Sequence, residues 1–220
     1  RVIVSAPGAE DVVREGSFTV TGETPAFLRP DGSSHGGDAE RVLHVRIGAK
    51  GLGTGENWAD GLPTLSEALE LVGSGKEEIW VSGDSTTAAE APVLRSCFAL
   101  RGGFTGAEDA VQDRTAGAFS RIDAANAYRE ILVLNQTEGT MTIDGIGFFN
   151  AQERGLRKTG AASLELLNCR FEGNGAVNDA YISWTGEIRG RGAKLTGAPG
   201  ATLLVSNCAF VGNRMKLQNF

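Results

Sequence analysis

The chain has 220 residues, 41% of them hydrophobic, and a formal net charge of −6 at pH 7. This hydrophobic share is enough to fill a core and excludes intrinsic disorder for most of the chain, while the acidic balance argues against nucleic acid as a partner. The apolar runs are too short to span a bilayer, and three cysteines are too few for a disulfide scaffold.

Residues 1–40 are predicted to be an N-terminal extension or a small β element, followed by a linker. Weak alternation of apolar residues gives way there to a run rich in glycine, serine and aspartate, which is typical of a loop or linker. The first residue is Arg1, and the methionines are Met141 and Met215. We therefore expect a processed chain or a fragment that forms part of a longer polypeptide.

One amphipathic helix is predicted soon after a strand over residues 41–47. Its apolar side chains recur at helical spacing, at Leu65, Ala68, Leu69 and Val72. Thr64 and Glu67 are spaced as a capping box, and Gly73 is expected to end the helix. The later segments are predicted to be short strands separated by Gly, Asn and Asp: Glu78–Ser82, Cys97–Leu100, Ile131–Leu134, Met141–Ile143, Leu164–Leu166 and Leu203–Val205.

Three segments in the second half of the chain align with one another without gaps. They are residues 141–148, 164–171 and 203–210, at offsets of 23 and 39 residues. The shorter offset is in the range of one repeat of a solenoid, and the longer one predicts an insertion within Ala176–Arg191. Such a repeat favours stacked strands over a helical bundle or an alternating α/β sheet.

The alignment places similar residues in columns. Four inward columns are predicted: Met141, Leu164 and Leu203; Ile143, Leu166 and Val205; Ile146, Cys169 and Cys208; Phe148, Phe171 and Phe210. When similar side chains stack on successive strands, they fill the interior of the solenoid and keep its width the same from one repeat to the next. A further column of Gly145, Asn168 and Asn207 is predicted to form a one-residue bend, because Gly and Asn tolerate the left-handed conformation and stacked Asn side chains hydrogen-bond to one another.

Residues 166–174 and 205–213 resemble the Asn-Cys-x-Phe-x-x-Asn repeats of bacterial secreted right-handed parallel β-helices. These are the pectin-lyase-like solenoids, which include surface proteins of the polymorphic outer-membrane-protein type. Upstream, residues 53–60, the helix and residues 78–83 resemble the N-terminal cap and first turn of that family. Residues 102–108, which begin Gly-Gly-Phe, resemble the loop that usually comes next.

The resemblance implies an all-β fold, namely a right-handed single-stranded parallel β-helix with a short N-terminal capping α-helix. This domain is expected to cover residues 41–220 and to be truncated at its C-terminus. The family implies a secreted or cell-surface location. It implies little about function, because the same solenoid carries lyases, hydrolases and adhesins.

Lyases of this fold gather acidic calcium ligands and a basic residue on outward positions of neighbouring turns, since calcium needs several converging oxygens. No outward column of the three aligned segments stacks two acids. Asp144 and Glu165 are predicted to be outward diagonal neighbours, and Arg170 and Glu172 to form a solvated pair. No metal and no cofactor are therefore expected.

The predicted insertion carries the other candidate residues. Tyr181 and Trp184 are hypothesised to form an aromatic platform for a sugar, or else to anchor the insertion to the solenoid. A glycoside hydrolase needs two carboxylates that face each other across its substrate. The candidate catalytic carboxylates in and beside the insertion are Glu172, Asp179 and Glu187.

The favoured hypothesis is a non-catalytic extracellular domain of a larger bacterial surface or secreted protein, used for recognition, adhesion or structural support. Its expected partner is a glycan or another surface protein, with no nucleic acid and no membrane span in this chain. The alternative is a polysaccharide lyase or glycoside hydrolase acting on extracellular carbohydrate. Cys97, Cys169 and Cys208 are predicted to be apolar fillers with free, buried thiols.

Overall fold

The computed structural model describes residues 2–4, 12–14, 42–72, 77–86, 93–94, 99–175, 191–195 and 199–213. The chain divides into two compact units, Arg1–His35 and Gly36–Phe220. In the first unit, strand β1 (Val2–Val4) pairs antiparallel with β2 (Val12–Arg14). The candidate site lies in the second unit.

The second unit is mostly β-structure, with one short helix, α1 (Leu65–Leu71), among its described residues. Its strands are, in chain order, β3 (Val42–Arg46), β4 (Glu78–Ser82), β5 (Ser85–Thr86), β6 (Val93–Leu94), β7 (Ala99–Phe104), β8 (Ser120–Asp123), β9 (Glu130–Leu134), β10 (Thr140–Asp144), β11 (Ile146–Phe149), β12 (Arg154–Lys158), β13 (Ser163–Leu167), β14 (Arg170–Glu172), β15 (Arg191–Leu195), β16 (Leu203–Ser206) and β17 (Ala209–Val211). A 3₁₀ turn, Val111–Asp113, lies between β7 and β8.

All the strands of the second unit pair in parallel within three sheets. Sheet A has the order β16-β13-β10-β7-β4-β3, sheet B the order β17-β14-β11-β8-β5, and sheet C the order β15-β12-β9-β6. From β4 onward the chain passes through sheet A, sheet B and sheet C and then returns to sheet A one strand further on. Each such passage is termed a circuit. The expectation of a mostly β chain with parallel pairing is confirmed.

The strand register confirms the alignment of the three repeat segments. Phe148 pairs with Phe171, and Phe171 pairs with Phe210, while β10, β13 and β16 follow the same alignment in sheet A. The rings of the three phenylalanines are stacked, with centroids 5.0 Å and 4.7 Å apart. Since like side chains recur on successive circuits, the sheets enclose one continuous apolar core.

The predicted bend between sheets A and B is also confirmed. Gly145, Asn168 and Asn207 have φ angles of 64°, 52° and 50°, all in the left-handed region. The Asn207 amide donates to Asn168 Oδ1 at 2.7 Å, and the Asn168 amide donates to Asp144 Oδ1 at 2.7 Å. The two asparagines of this column, together with Asp144, therefore link three successive circuits.

The predicted N-terminal position of the capping helix is wrong. Helix α1 lies between β3 and β4, so a strand of sheet A precedes it. Its start is as expected, because the Glu67 N–H donates to the Thr64 hydroxyl at 3.3 Å. Leu65 and Ala68 are buried in the core. The sequence predicted both the helix and the strand at residues 41–47 before it, but the resemblance implied a helix that caps the fold, whereas β3 is itself a paired strand of sheet A.

Residues 102–104 were predicted to belong to a loop, but they lie in strand β7. A Cβ atom on Gly102 would come within 2.4 Å of the Gly145 carbonyl oxygen, and one on Gly103 within 2.5 Å of the Ala118 carbonyl oxygen. These glycines therefore allow two stretches of backbone to approach a strand closely.

Candidate functional site

The predicted insertion carries four of the five predicted site residues, and all four lie outside the described residues: Asp179, Tyr181, Trp184 and Glu187. The fifth, Glu172, ends strand β14 of sheet B. Arg170 Nε donates to Glu172 Oε2 at 2.6 Å, and each of the two side chains is 38% exposed. The predicted Arg170–Glu172 pair is therefore present and open to solvent.

A second pair of the same kind lies on strand β8. Arg121 Nη2 donates to Asp123 Oδ2 at 2.5 Å, and the arginine side chain is 42% exposed. Arg121 is in register with Gly147, and Gly147 with Arg170. The two ion pairs therefore share one face of sheet B with strand β11 between them. A spacing of about 4.8 Å per strand places them roughly 9.5 Å apart.

Two phenylalanines complete this outer surface. The rings of Phe119 and Phe149 are stacked, with centroids 6.1 Å apart and planes 17° from parallel. The Arg121 guanidinium lies 4.3 Å from the centroid of the Phe149 ring. Phe149 is buried, whereas Phe119 is 37% exposed. We define the sheet B face by six residues: Phe119, Arg121, Asp123, Phe149, Arg170 and Glu172.

Gly147 lets these rings lie against the sheet. A Cβ atom there would come within 2.5 Å of the Phe149 ring and 2.8 Å of the Phe119 ring. Real Cβ atoms do not approach ring carbons that closely, so any other residue would displace both rings. The exposed Phe119 ring therefore has its position set from beneath by a glycine of the neighbouring strand.

Asp123 is held in place by several donors. The Ala125 backbone N–H donates to it at 2.7 Å, and the Asn150 amide donates to both carboxylate oxygens at 2.9 Å and 3.0 Å. Burial by itself raises the pKa of Asp123, but these hydrogen bonds and the charge of Arg121 outweigh burial and lower the pKa below its ordinary 3.8. The carboxylate therefore stays charged and fixes the arginine beside the Phe149 ring.

The corresponding surface of sheet A is covered, which corrects the prediction for Asp144. This residue was expected to point outward beside Glu165, but its side chain is fully buried. Its carboxylate contacts Arg101 at 3.4 Å and Arg114 at 2.6 Å. Arg114 comes from the segment between β7 and β8, whose contacts remove Asp144 from solvent. Glu165 instead accepts a hydrogen bond from the Thr142 hydroxyl at 2.9 Å.

The buried charges of sheet A form a connected network. Arg101 also donates from Nε and Nη2 to the two carboxylate oxygens of Glu78, each at 3.2 Å. The Trp80 indole donates to Glu78 Oε2 at 2.9 Å, and Arg114 donates to the Gly102 carbonyl oxygen at 2.7 Å. Buried charges are tolerated when each meets an opposite charge and further hydrogen bonds. This network therefore attaches the segment after β7 to the sheet.

The segment after β7 is folded around the carboxylate of Glu108. The backbone N–H groups of Thr105, Gly106 and Ala107 donate to it at 2.8 Å, 3.0 Å and 3.0 Å. Burial raises the pKa of Glu108, but these donors and the Thr105 hydroxyl outweigh burial and lower the pKa below its ordinary 4.5. The Glu108 carbonyl oxygen accepts from the Trp58 indole at 2.8 Å. The segment between β7 and β8 is thus held in one conformation over sheet A, and it is termed the cover.

Aromatic residues fill the space beneath this cover. The Trp80 and Phe104 rings are stacked with centroids 4.7 Å apart, and Trp58 lies 5.3 Å from Phe104. His44 lies edge-on to Trp58 at 4.7 Å, and its Nδ1 is 3.2 Å from the Gly55 carbonyl oxygen. Trp58, Trp80 and Phe104, with Val42 and Val111, form a second, smaller apolar core on the outer side of sheet A.

Sheet C carries a third set of charged pairs. Glu130 contacts Arg154 at 2.6 Å and Arg157 at 2.9 Å. Glu153 contacts Arg129 at 2.6 Å and Arg154 at 3.1 Å. Arg154 is buried between the two carboxylates. This network links strands β9 and β12.

Cys169 and Cys208 are free thiols on adjacent circuits, as predicted, although Cys208 is only partly buried. Their side chains are hydrogen-bonded to one another, and burial raises the pKa of the Cys169 thiol. The hydrogen bond with Cys169 lowers the pKa of Cys208. Cys97 lies outside the described residues.

Within the described part of the chain, no group of three or more His, Cys, Asp or Glu side chains is arranged to hold a metal ion. None of its helices has the length and apolar character needed to cross a membrane. Comparison with protein-family models, curated proteins and solved structures gives no match to this chain. The functional inference therefore rests on the residues of the sheet faces.

Sequence reasoning missed most of the sheet B face. The alignment began at residue 141, one circuit too late to include strand β8. Aligning residues 121–123, Arg-Ile-Asp, with residues 170–172, Arg-Phe-Glu, reveals the repeated Arg-x-acid pattern. The packing of Phe119 over Gly147 had no such signal, because residue 119 precedes its strand and belongs to no repeat.

Proposed function

We propose that this chain contains a right-handed, single-stranded parallel β-helix domain of the pectin-lyase-like kind. The repeated passage through sheets A, B and C, with every strand parallel, supports this architecture. The asparagine bend between sheets A and B supports it as well. The domain belongs to a larger bacterial surface or secreted protein and lies outside the cell or on its surface.

The domain serves recognition or adhesion rather than catalysis, and its partner is a glycan or another surface protein. The observation that carries this proposal is the sheet B face, which presents the exposed Phe119 ring, the half-exposed Arg170–Glu172 pair and the half-exposed Arg121. Strands β8 and β14, which carry the ion pairs, are each held in register by a strand on both sides, and Phe119 directly precedes β8. A surface that is already ordered binds with little further loss of conformational entropy.

The competing hypothesis is a polysaccharide lyase or glycoside hydrolase that uses Glu172, Asp179 and Glu187. A hydrolase needs two carboxylates that face each other across the sugar. Glu172 is instead paired with Arg170 at 2.6 Å on the same strand. This contact supports a binding surface more directly than a catalytic pair.

Incubation with a panel of neutral and acidic polysaccharides separates the two hypotheses. The recognition proposal expects retention of the protein by at least one polysaccharide or surface protein, with no new reducing ends and no unsaturated products. Turnover that Glu187→Gln or Asp179→Asn abolishes would contradict it. Turnover that survives both substitutions and persists after a fresh purification by a different route would contradict it as well.

A further inference from the structure

We propose that the sheet B face binds an uncharged polysaccharide that lies along the stack of strands, with one sugar ring packed on Phe119. This proposal rests on the recognition function proposed above and specifies its ligand and its surface. Three properties of the face support it: the spacing of its ion pairs, the position of its exposed ring and its charge.

The spacing of the polar groups suits an extended chain of sugars. The Arg121–Asp123 and Arg170–Glu172 pairs repeat two strands apart, roughly 9.5 Å at the usual distance between strands. This is close to the length of two sugar units in an extended polysaccharide. A chain that crosses β8, β11 and β14 would therefore meet Arg121 and Arg170 about two sugars apart.

The exposed side chains of the two ion pairs match the hydrogen-bonding needs of sugar hydroxyl groups. A hydroxyl both donates and accepts, while a guanidinium carries five N–H donors and a carboxylate accepts at two oxygens. Arg170 meets Glu172 through Nε, and Arg121 meets Asp123 through Nη2. The Arg121, Arg170 and Glu172 side chains are 42%, 38% and 38% exposed, so each can contact a ligand from the solvent side. The Asp123 oxygens already accept hydrogen bonds from Ala125, Asn150 and Arg121, so this carboxylate orients the arginine.

The exposed ring provides the apolar part of the surface. Phe119 is 37% exposed and is stacked on Phe149, which the Arg121 guanidinium contacts in turn. The C–H groups of a sugar ring pack well on an aromatic face, and a ring held in place loses little entropy on binding. Because Gly147 and Phe149 hold the ring, Phe119 needs no rearrangement.

The charge of the face favours an uncharged ligand over an acidic one. Arg121 and Arg170 are each matched by a carboxylate, so the two ion pairs together are neutral. Asp84 adds a negative charge beside them, since its carboxylate accepts from the Arg121 backbone N–H at 2.9 Å and the residue is exposed. A polyanion would meet this carboxylate without an unmatched cation to compensate for it.

Affinity electrophoresis of the full chain tests the proposal. The gels contain a neutral polysaccharide (galactomannan, xylan, mixed-linkage β-glucan or starch) or an acidic one (polygalacturonate or alginate). We expect at least one neutral polysaccharide to retard the protein more strongly than either acidic one. Phe119→Ala should weaken that binding about tenfold, because it removes the stacking contact. Phe119→Trp should retain it.

Leu52→Ala is the matched control, because Leu52 is 83% exposed and lies in the segment before α1. It should bind as wild type does, and thermal unfolding of each variant shows whether it is folded. Wild-type retardation that Phe119→Ala leaves unchanged would overturn the sheet B assignment while recognition stands. Stronger binding to the acidic polysaccharides would overturn the ligand class. Retardation by none of the polysaccharides would remove the glycan function itself.

Discussion

Arginine–carboxylate pairs occupy the outer surfaces of sheets A and B, but their exposure differs greatly. On sheet A the Arg101 and Asp144 side chains are 2% and 0% exposed. On sheet B the Arg170 and Glu172 side chains are each 38% exposed. The same chemical pair is therefore enclosed on one face and available to a ligand on the other.

The difference comes from the connections that leave the strands. Strand β7 leads into a long segment that folds around Glu108 and brings Arg114 onto sheet A. Strands β8 and β11 leave sheet B through shorter connections that lead directly to sheet C. Burial makes an ion pair important to stability, and exposure makes it nearly neutral to stability but accessible. The comparison predicts that stability resides on one face and binding on the other.

The largest expected effect is that of Asp144→Ala. Removing this carboxylate takes away the anion that both buried arginines contact, leaving Arg101 with Glu78 alone, and losing one partner of a buried pair costs about 3–5 kcal/mol. Urea unfolding followed by circular dichroism measures the loss. Glu165→Ala is the control on the neighbouring strand and should cost less than about 1 kcal/mol. Equal losses for the two variants would break the comparison.

A smaller loss is expected for Asn168→Ala, about 2 kcal/mol. The substitution places alanine in a left-handed conformation and removes hydrogen bonds to Asp144 and Asn207. Asn168→Gly keeps the backbone conformation favourable and should lose about half as much. Chemical denaturation of the three proteins measures these losses. If the glycine variant were no more stable than the alanine variant, a left-handed backbone at residue 168 would not cost alanine any stability, which would contradict the role assigned to this bend.

The cover over sheet A should show a distinct pH dependence through Glu108. Because its folded pKa lies below the ordinary 4.5, Glu108 contributes stability that is fully present above pH 4.5 and is lost as pH falls through the folded pKa. Glu108→Gln should therefore lose about 1 kcal/mol at pH 7 and show a shallower decline in acid. Unfolding free energies measured between pH 3 and pH 7 test this. Parallel curves for both proteins would contradict the role assigned to Glu108.

The smallest effect on stability is expected on sheet B. The double variant Arg170→Gln, Glu172→Gln removes a half-exposed pair, which is worth less than about 1 kcal/mol. Its unfolding midpoint in urea should stay close to that of wild type. A loss comparable with that of Asp144→Ala would mean that sheet B, too, depends on its charges for folding.

The repeats predicted much of the fold. Columns such as Phe148, Phe171 and Phe210 are visible in the sequence because each circuit must have the same width, and the register agrees with them. The Asn168 and Asn207 bend was predictable for a similar reason, since few residues adopt a left-handed conformation. Local constraints that recur on every circuit leave a pattern in the sequence.

The candidate site was much less predictable. The sequence indicated that Asp144 alternates outward, which is correct for the strand, but not that Arg114 would come from a distant segment to bury it. The contact of Phe119 with Gly147 likewise joins residues outside the repeat. Each of these contacts joins one particular pair of residues and does not recur from circuit to circuit, so it leaves no repeated pattern in the sequence.

Binding of the Arg170→Gln, Glu172→Gln variant to a neutral polysaccharide that retards the wild-type chain is the most direct test of the division between the two faces. We expect retardation at least about tenfold weaker than that of wild type, in a protein that is still folded and nearly as stable. Undiminished retardation of this folded variant would contradict the division, because the most exposed ion pair of sheet B would then take no part in binding.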